Sequence, residues 1–153
     1  MFQNRIDRTP GGEIRLQLED DERDLLREVA DELGTLLEEA PEDPSLRRLF
    51  PRAHEDEELE REYRELTQGQ LASGRDRAIA TLRETADREL LTPEEADAWL
   101  RALNDARLVL GTRLDLPEDF DWDAVDSTDA RAPELALYAY LSWLQEQLVE
   151  AIS

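Results

Sequence analysis

TPEEADAWLRALNDARLVLGTRL, residues 92–114, decides the fold class because its start carries three helix signals at once. Thr92 is an N-cap, Pro93 is pre-set for the first helical position, and Glu95 completes a capping box. The segment predicts a helix that runs to about Leu114. At about 100° per residue, Trp99, Leu100, Leu103, Leu110 and Leu114 share one face. Arg107 falls in the middle of that face and Asn104 at its edge beside Gly111. Asp105 points the opposite way and is expected in water.

Toward the C-terminus, the acidic stretch from Asp115 to Asp129 reads as a loop pinned by Phe120 and Trp122. Pro133 opens a last helix, to about Ile152. Its Leu137, Tyr140, Leu141, Leu144, Leu148 and Ala151 form one stripe, while Leu135, Tyr138, Trp143 and Val149 lie outside it. A helix that apolar is expected at the centre of the molecule or shared with a partner. Trp143, Tyr138 and Tyr140 are therefore a candidate interaction surface, and a homodimer is compatible with it.

Toward the N-terminus, Thr67 to Gln70 matches a capping box, so a break is expected there between two helical segments. The first carries Leu59, Tyr63 and Leu66; the second carries Leu71, Ile79, Leu82, Ala86 and Leu90. Asp43-Pro44 is a cap followed by proline and introduces a short segment through Leu46, Leu49 and Phe50 that Pro51 stops. Asp20 or Asp21 caps a helix with Leu25, Leu26, Val29, Leu33, Leu36 and Leu37 on one face, ending before Pro41. Residues 2–18 alternate around Thr9-Pro10-Gly11-Gly12 as a hairpin, which must lie on helices to be stable. The expectation is a mainly α protein: a compact bundle of five to six helices with a short N-terminal β-hairpin. It forms one domain over 1–153, with the hairpin at 2–18 and the helical bundle at 21–152.

Composition narrows the function classes. The 153 residues are long enough for one core. No apolar run reaches the roughly 20 residues that span a bilayer, and the first residues lack a signal-peptide pattern, so the expected location is the cytoplasm. The net charge of −21 argues against direct binding to nucleic acid or anionic membrane and favours a basic protein partner. There is no cysteine, and all 18 basic residues are arginine. Disulfides, thiolate nucleophiles and lysine Schiff bases are thereby excluded.

Arg107 on its apolar face and Arg75 between Leu71, Ile79 and Leu82 are the polar residues out of place. A buried guanidinium needs a carboxylate, several carbonyls or an anion. One reading pairs each with a carboxylate from another element, such as the 115–129 loop; the other builds an anion or carboxylate-terminus site from Arg107, Asn104, Arg75 and the room beside Gly111. His54, the single histidine, cannot form a multi-histidine metal site and reads as a surface or capping residue. The Asp119, Asp121, Asp123, Asp126 series lacks the glycine and terminal glutamate of a calcium loop and reads as solvated. No serine sits in a nucleophile elbow and no glycine-rich phosphate loop exists, so no catalytic residue, metal or cofactor is assigned.

Three segments together carry a resemblance: DPSLRRLFP at 43–51, LNDARLVLGTRL at 103–114 and YLSWLQ at 140–145. They resemble the actinobacterial domain-of-unknown-function family numbered two thousand and seventeen, over nearly the whole chain. His54 departs from the tyrosine expected there. The resemblance implies no activity and no catalytic residues. It implies a genomic setting beside the Clp protease substrate adaptor, a metal-dependent isopeptidase-like hydrolase and a sulfur-carrier pathway, and some members carry the label of transcriptional regulator. The combined reading is a non-enzymatic adaptor or regulator that binds a protein, linked to regulated proteolysis or sulfur-carrier metabolism. Its rivals are a metal- or anion-dependent enzyme around Arg107 and an acidic mimic of the nucleic-acid backbone acting on DNA-binding proteins.

Overall fold

In the computed structural model, residues 5–49, 57–116, 119–122 and 128–153 are described, with side chains throughout except at 60 and 63–73. The order is β1 (Ile6–Arg8), β2 (Ile14–Leu16), α1 (Asp20–Glu39), a 3-10 turn (Pro44–Leu46), α2 (Glu57–Thr85), β3 (Leu90–Leu91), α3 (Pro93–Leu114) and α4 (Ala132–Ile152). The chain is mainly helical, with a small antiparallel sheet at its N-terminal end.

The hairpin pairs Ile6 with Leu16 and Arg8 with Ile14, and its turn uses Gly12 at φ 90°, a conformation glycine adopts without steric penalty. Period-two alternation puts Ile6, Ile14 and Leu16 on the buried side. The sheet has a third strand that the alternation pattern does not announce. β3, two residues between α2 and α3, pairs Ile14 with Leu91 and Arg15 with Leu90. So short a strand has no period of its own; it exists because β2 offers it an edge.

Local caps set most helix ends. Thr92 accepts from the Glu95 amide at 3.1 Å while Glu95 accepts from the Thr92 amide at 2.9 Å, the reciprocal capping box expected. α3 ends at Leu114, where Asp115 turns left-handed at φ 52° and returns its amide to Thr112. Asp43 accepts from the Ser45 amide at 2.8 Å and starts the 3-10 turn. α1 begins at Asp20, with the Glu22 carboxylate reaching back to the Glu19 amide at 2.7 Å, and stops before Pro41.

Two expectations are corrected. α2 runs unbroken from Glu57 to Thr85, through the box-like Thr67–Gln70. The stretch contains no proline, and each internal glycine costs only about 1 kcal/mol relative to alanine. A cap pattern ends a helix only where the backbone leaves helical geometry. The second correction concerns the centre. α3, not α4, is the middle helix: α2 packs on one side and α4 on the other, while α4 also packs against β1. Accordingly Trp99, Ala96, Ala102 and Leu103 are fully buried. Trp99 donates to Thr85 Oγ1 at 2.7 Å, which satisfies its indole N–H inside the core. Phe50, Pro51, His54, Asp123 and Asp126, and the side chains of Tyr63, Leu66 and Leu71, lie outside what is described.

One deeply placed charge is not singled out by the helical stripes. Arg23, in the first turns of α1, is only 8% exposed. Its guanidinium donates to four backbone carbonyls: Leu16 at 3.4 Å, Leu18 at 3.3 Å, Ala86 at 2.8 Å and Arg88 at 2.6 Å. Replacing Arg23 by Met keeps most of the stem and strands those carbonyls, each unsatisfied buried acceptor costing about 1–3 kcal/mol. Urea unfolding of Arg23→Met should therefore show a loss of roughly 3 kcal/mol or more; an unchanged midpoint would show that the carbonyls find water instead.

Candidate functional site

The out-of-place arginines resolve differently from one another, because α3 is covered on two sides. On the α2 side, Arg75 Nε lies 3.4 Å from Asp105 Oδ2, with side chains only 12% and 9% exposed. Arg75 also donates to the Leu49 carbonyl at 2.6 Å, which anchors the segment after the 3-10 turn. Asp105, expected in water, is thus buried: the face opposite the Trp99 stripe is itself a packing face. Burial pushes the Asp105 carboxyl up, and Arg75 followed by Arg101 opposes that shift. Arg75 is therefore held by a carboxylate from another helix.

On the α4 side, Arg107 is half-buried. Nε donates to Ser142 Oγ at 2.9 Å and Nη1 to Gln145 Oε1 at 2.6 Å, while the guanidinium lies over the Tyr138 ring at 5.4 Å. Ser142 in turn donates to the Tyr138 carbonyl at 2.9 Å. Among the described residues Arg107 has no carboxylate partner. The room expected beside Gly111 is not open. A Cβ there would meet Tyr138 Cε2 at 3.2 Å and Arg48 Nη1 at 3.5 Å, so glycine is what lets the tyrosine ring lie against α3. Arg107 and Gly111 therefore meet at Tyr138. Arg75 belongs to a different side of α3, and the hydrogen bonds of Arg107 run to α4, not to Asn104.

The aromatic residues of α4 also divide. Tyr138 stacks on Trp122 at 5.8 Å, and Trp122 meets Phe120 edge-on at 4.9 Å, which pins the described part of the acidic loop. Tyr140 and Trp143 lie elsewhere, 5.8 Å apart, with the Arg5 guanidinium 5.1 Å from the Trp143 ring. Arg5 grips Glu22 through two hydrogen bonds of 2.8 and 2.5 Å, tying β1 to α1. Burial and then the Glu22 carboxylate push the Tyr140 phenol up, while Arg5 opposes them, so it stays protonated at any physiological pH. Tyr138, Tyr140 and Trp143 therefore form two half-buried clusters instead of a single surface.

Among the described residues there is also an open, largely apolar concave surface that the stripes alone do not reveal. A groove of about 550 Å³ lies between α1, α3 and α4. Leu33, Leu36, Val109, Leu110, Leu137 and Leu141 supply its apolar lining, and Asp31, Glu32, Glu39 and Arg113 stand at its polar edge. It exists because α1 packs chiefly on α2, while α4 packs on α3. Among the described residues, no three His, Cys, Asp or Glu side chains gather in a way that could hold a metal ion. Nor is any described helix long and apolar enough to cross a membrane.

Comparison with known proteins places the chain. Residues 3–152 match the family described as "Domain of unknown function (DUF2017)". The chain belongs to the DUF2017 family. The match extends over both arginine pairs, both aromatic clusters and the groove. This DUF2017 chain is also similar to a Mycobacterium leprae protein named "Putative oxidative stress regulator AosR", 32% identical over 73% of the chain. The similarity spans 59% of that relative's length. No solved structure matches the chain.

The two arginines make a direct test of this geometry. Arg75→Ala leaves Asp105 buried and unpaired and should cost about 3–5 kcal/mol, whereas Arg107→Ala removes bonds to neutral groups and should cost about 1–2 kcal/mol. The losses should also differ in pH dependence. A raised folded-state carboxyl favours stability at low pH and loses it as the pH climbs from the ordinary 3.8 through the raised value. Removing Arg75 raises Asp105 further, so the gap between Arg75→Ala and wild type should widen from acid to neutral pH in urea titrations, while that for Arg107→Ala stays nearly constant.

Proposed function

We propose that this DUF2017 chain is a non-enzymatic regulatory or adaptor domain that acts by binding another protein. One observation carries the reading: the guanidinium groups of Arg23, Arg75 and Arg107 are occupied by structural acceptors, and an open concave surface between α1, α3 and α4 is an apolar groove with acidic residues at its edge. A catalytic site needs a poised nucleophile, base or metal. The chain has one histidine, no cysteine and no lysine, and Tyr138 fills the space in which an anion would have met Arg107 and Gly111. An apolar groove suits macromolecular recognition, where desolvation of aliphatic surface supplies the affinity and charged edges supply selection.

The regulator in the name of the Mycobacterium leprae relative supports the same reading. That name also speaks of oxidative stress, and here the chain's own chemistry sets a limit. Without cysteine, these 153 residues hold no thiol to form a disulfide or a sulfenic acid. Any control by thiol oxidation must then act outside these 153 residues.

Affinity capture from native lysate with the purified chain, read by mass spectrometry, should retain a specific protein. The same complex should survive pretreatment of this chain alone with peroxide or with dithiothreitol. Turnover of a substrate or stoichiometric metal in the purified protein, with no retained partner, would reverse the assignment.

A further inference from the structure

We infer that the α1–α3–α4 groove receives a basic amphipathic helix of about three turns from a partner protein. The inference rests on the protein-binding reading above and names the chemistry of the partner. Val29 to Ala40, the α1 wall, measures roughly 16 Å at 1.5 Å per residue, which matches three helical turns. All three walls are helices, whose backbone amides and carbonyls are paired internally. An extended peptide laid between them would find no strand edge to pair with, whereas a helix brings its own hydrogen bonds and presents side chains at i, i+3 or i+4, and i+7. Half-buried Leu36, Leu110 and Leu137 are the apolar surface such anchors would cover.

Charge fixes the sign of the partner. Glu32 and Glu39 are exposed at the edge, Asp31 is shared with Arg83 at 2.9 Å, and among the described lining residues Arg113 is the one cation. The last turn of α1 contains no basic residue, so the negative end of its dipole adds to Glu39. A net charge of −21 steers cationic surfaces toward the chain and repels a second copy of it.

The test uses the full chain and a fluorescently labelled 18-residue peptide, with Leu on one helical face and Arg elsewhere. Two controls accompany it: a scramble that keeps the charge but destroys the stripe, and an Arg-to-Glu version. Anisotropy should show saturable binding of the first peptide alone. Binding should weaken by about tenfold or more, roughly 1.4 kcal/mol, for Leu137→Glu and for the double variant Glu32→Arg/Glu39→Arg. The double variant changes only exposed side chains and keeps the test alive if Leu137→Glu does not fold. Equal binding of the scramble, or no loss in the double variant, overturns the proposal as diffuse charge attraction. Concentration-dependent self-association abolished by Leu137→Glu overturns it in favour of a second copy. If no peptide binds but lysate capture still yields a specific partner, the basic-helix inference fails and the protein-binding reading stands; if both fail, the reading itself falls.

Discussion

One guanidinium holds the N-terminal half of the molecule together. Arg23 sits where the end of β2, the entry to α1 and the exit from α2 converge, and its donors meet a carbonyl from each. The last carbonyls of a helix have no intrahelical partner and carry the negative end of its dipole, so a buried cation is well placed among them. The positive charge is thereby dispersed over backbone dipoles without a carboxylate. The arrangement also places β3: Leu16 donates its amide to the Glu89 carbonyl at 2.7 Å beside the same junction. Thr92, directly after β3, then starts α3, so the position of the central helix follows from how the α2 end is held.

From that position the rest of the architecture follows. α3 is enclosed by α2 and α4, which requires it to be apolar or paired on two sides. Small residues meet the first need: Ala96, Ala102, Ala106 and Gly111 are buried along it and let neighbouring helices approach closely. Paired polar residues meet the second, with Asp105 turned to α2 and Arg107 to α4. The two contacts differ in kind. A buried ion pair is costly to break from one side, whereas a guanidinium resting on Tyr138 and bonded to Ser142 and Gln145 is a weaker and more adaptable contact.

The same geometry explains the groove. Because α1 is tied to β1 by Arg5–Glu22 and packs chiefly on α2, it does not close over the line where α3 meets α4. Apolar residues that a fourth layer would cover stay half-buried there. The net charge of −21 is the reason the partner proposed for that surface is a basic one. Arginine supplies all 18 basic residues, and the fold uses its planar fork repeatedly, on four carbonyls at Arg23, on Glu22 at Arg5 and over aromatic rings at Arg5 and Arg107.

The sequence by itself determined several helix ends, because caps and prolines act over three or four residues: Thr92-Pro93, Asp43-Pro44 and the stop before Pro41 stand where local chemistry puts them, whereas the Thr67–Gln70 box lies inside α2. It also marked Arg75 and Arg107 as needing partners. Only the tertiary structure decided who those partners are. A helical wheel assigns one inside and one outside, so Asp105 reads as solvated until a second neighbour covers its side of α3. Composition groups Tyr138, Tyr140 and Trp143 as one aromatic surface, although Tyr138 and Tyr140, two apart on a helix, point about 200° from one another. Arg23 belongs to no apolar stripe, and Leu90 reads as an inward residue of a helix although it lies in β3 beyond the end of α2, since both placements depend on carbonyls and strand edges distant in sequence. The groove belongs to the same class: it is a gap left by where α1 stands relative to α4, and no property of either helix alone encodes it.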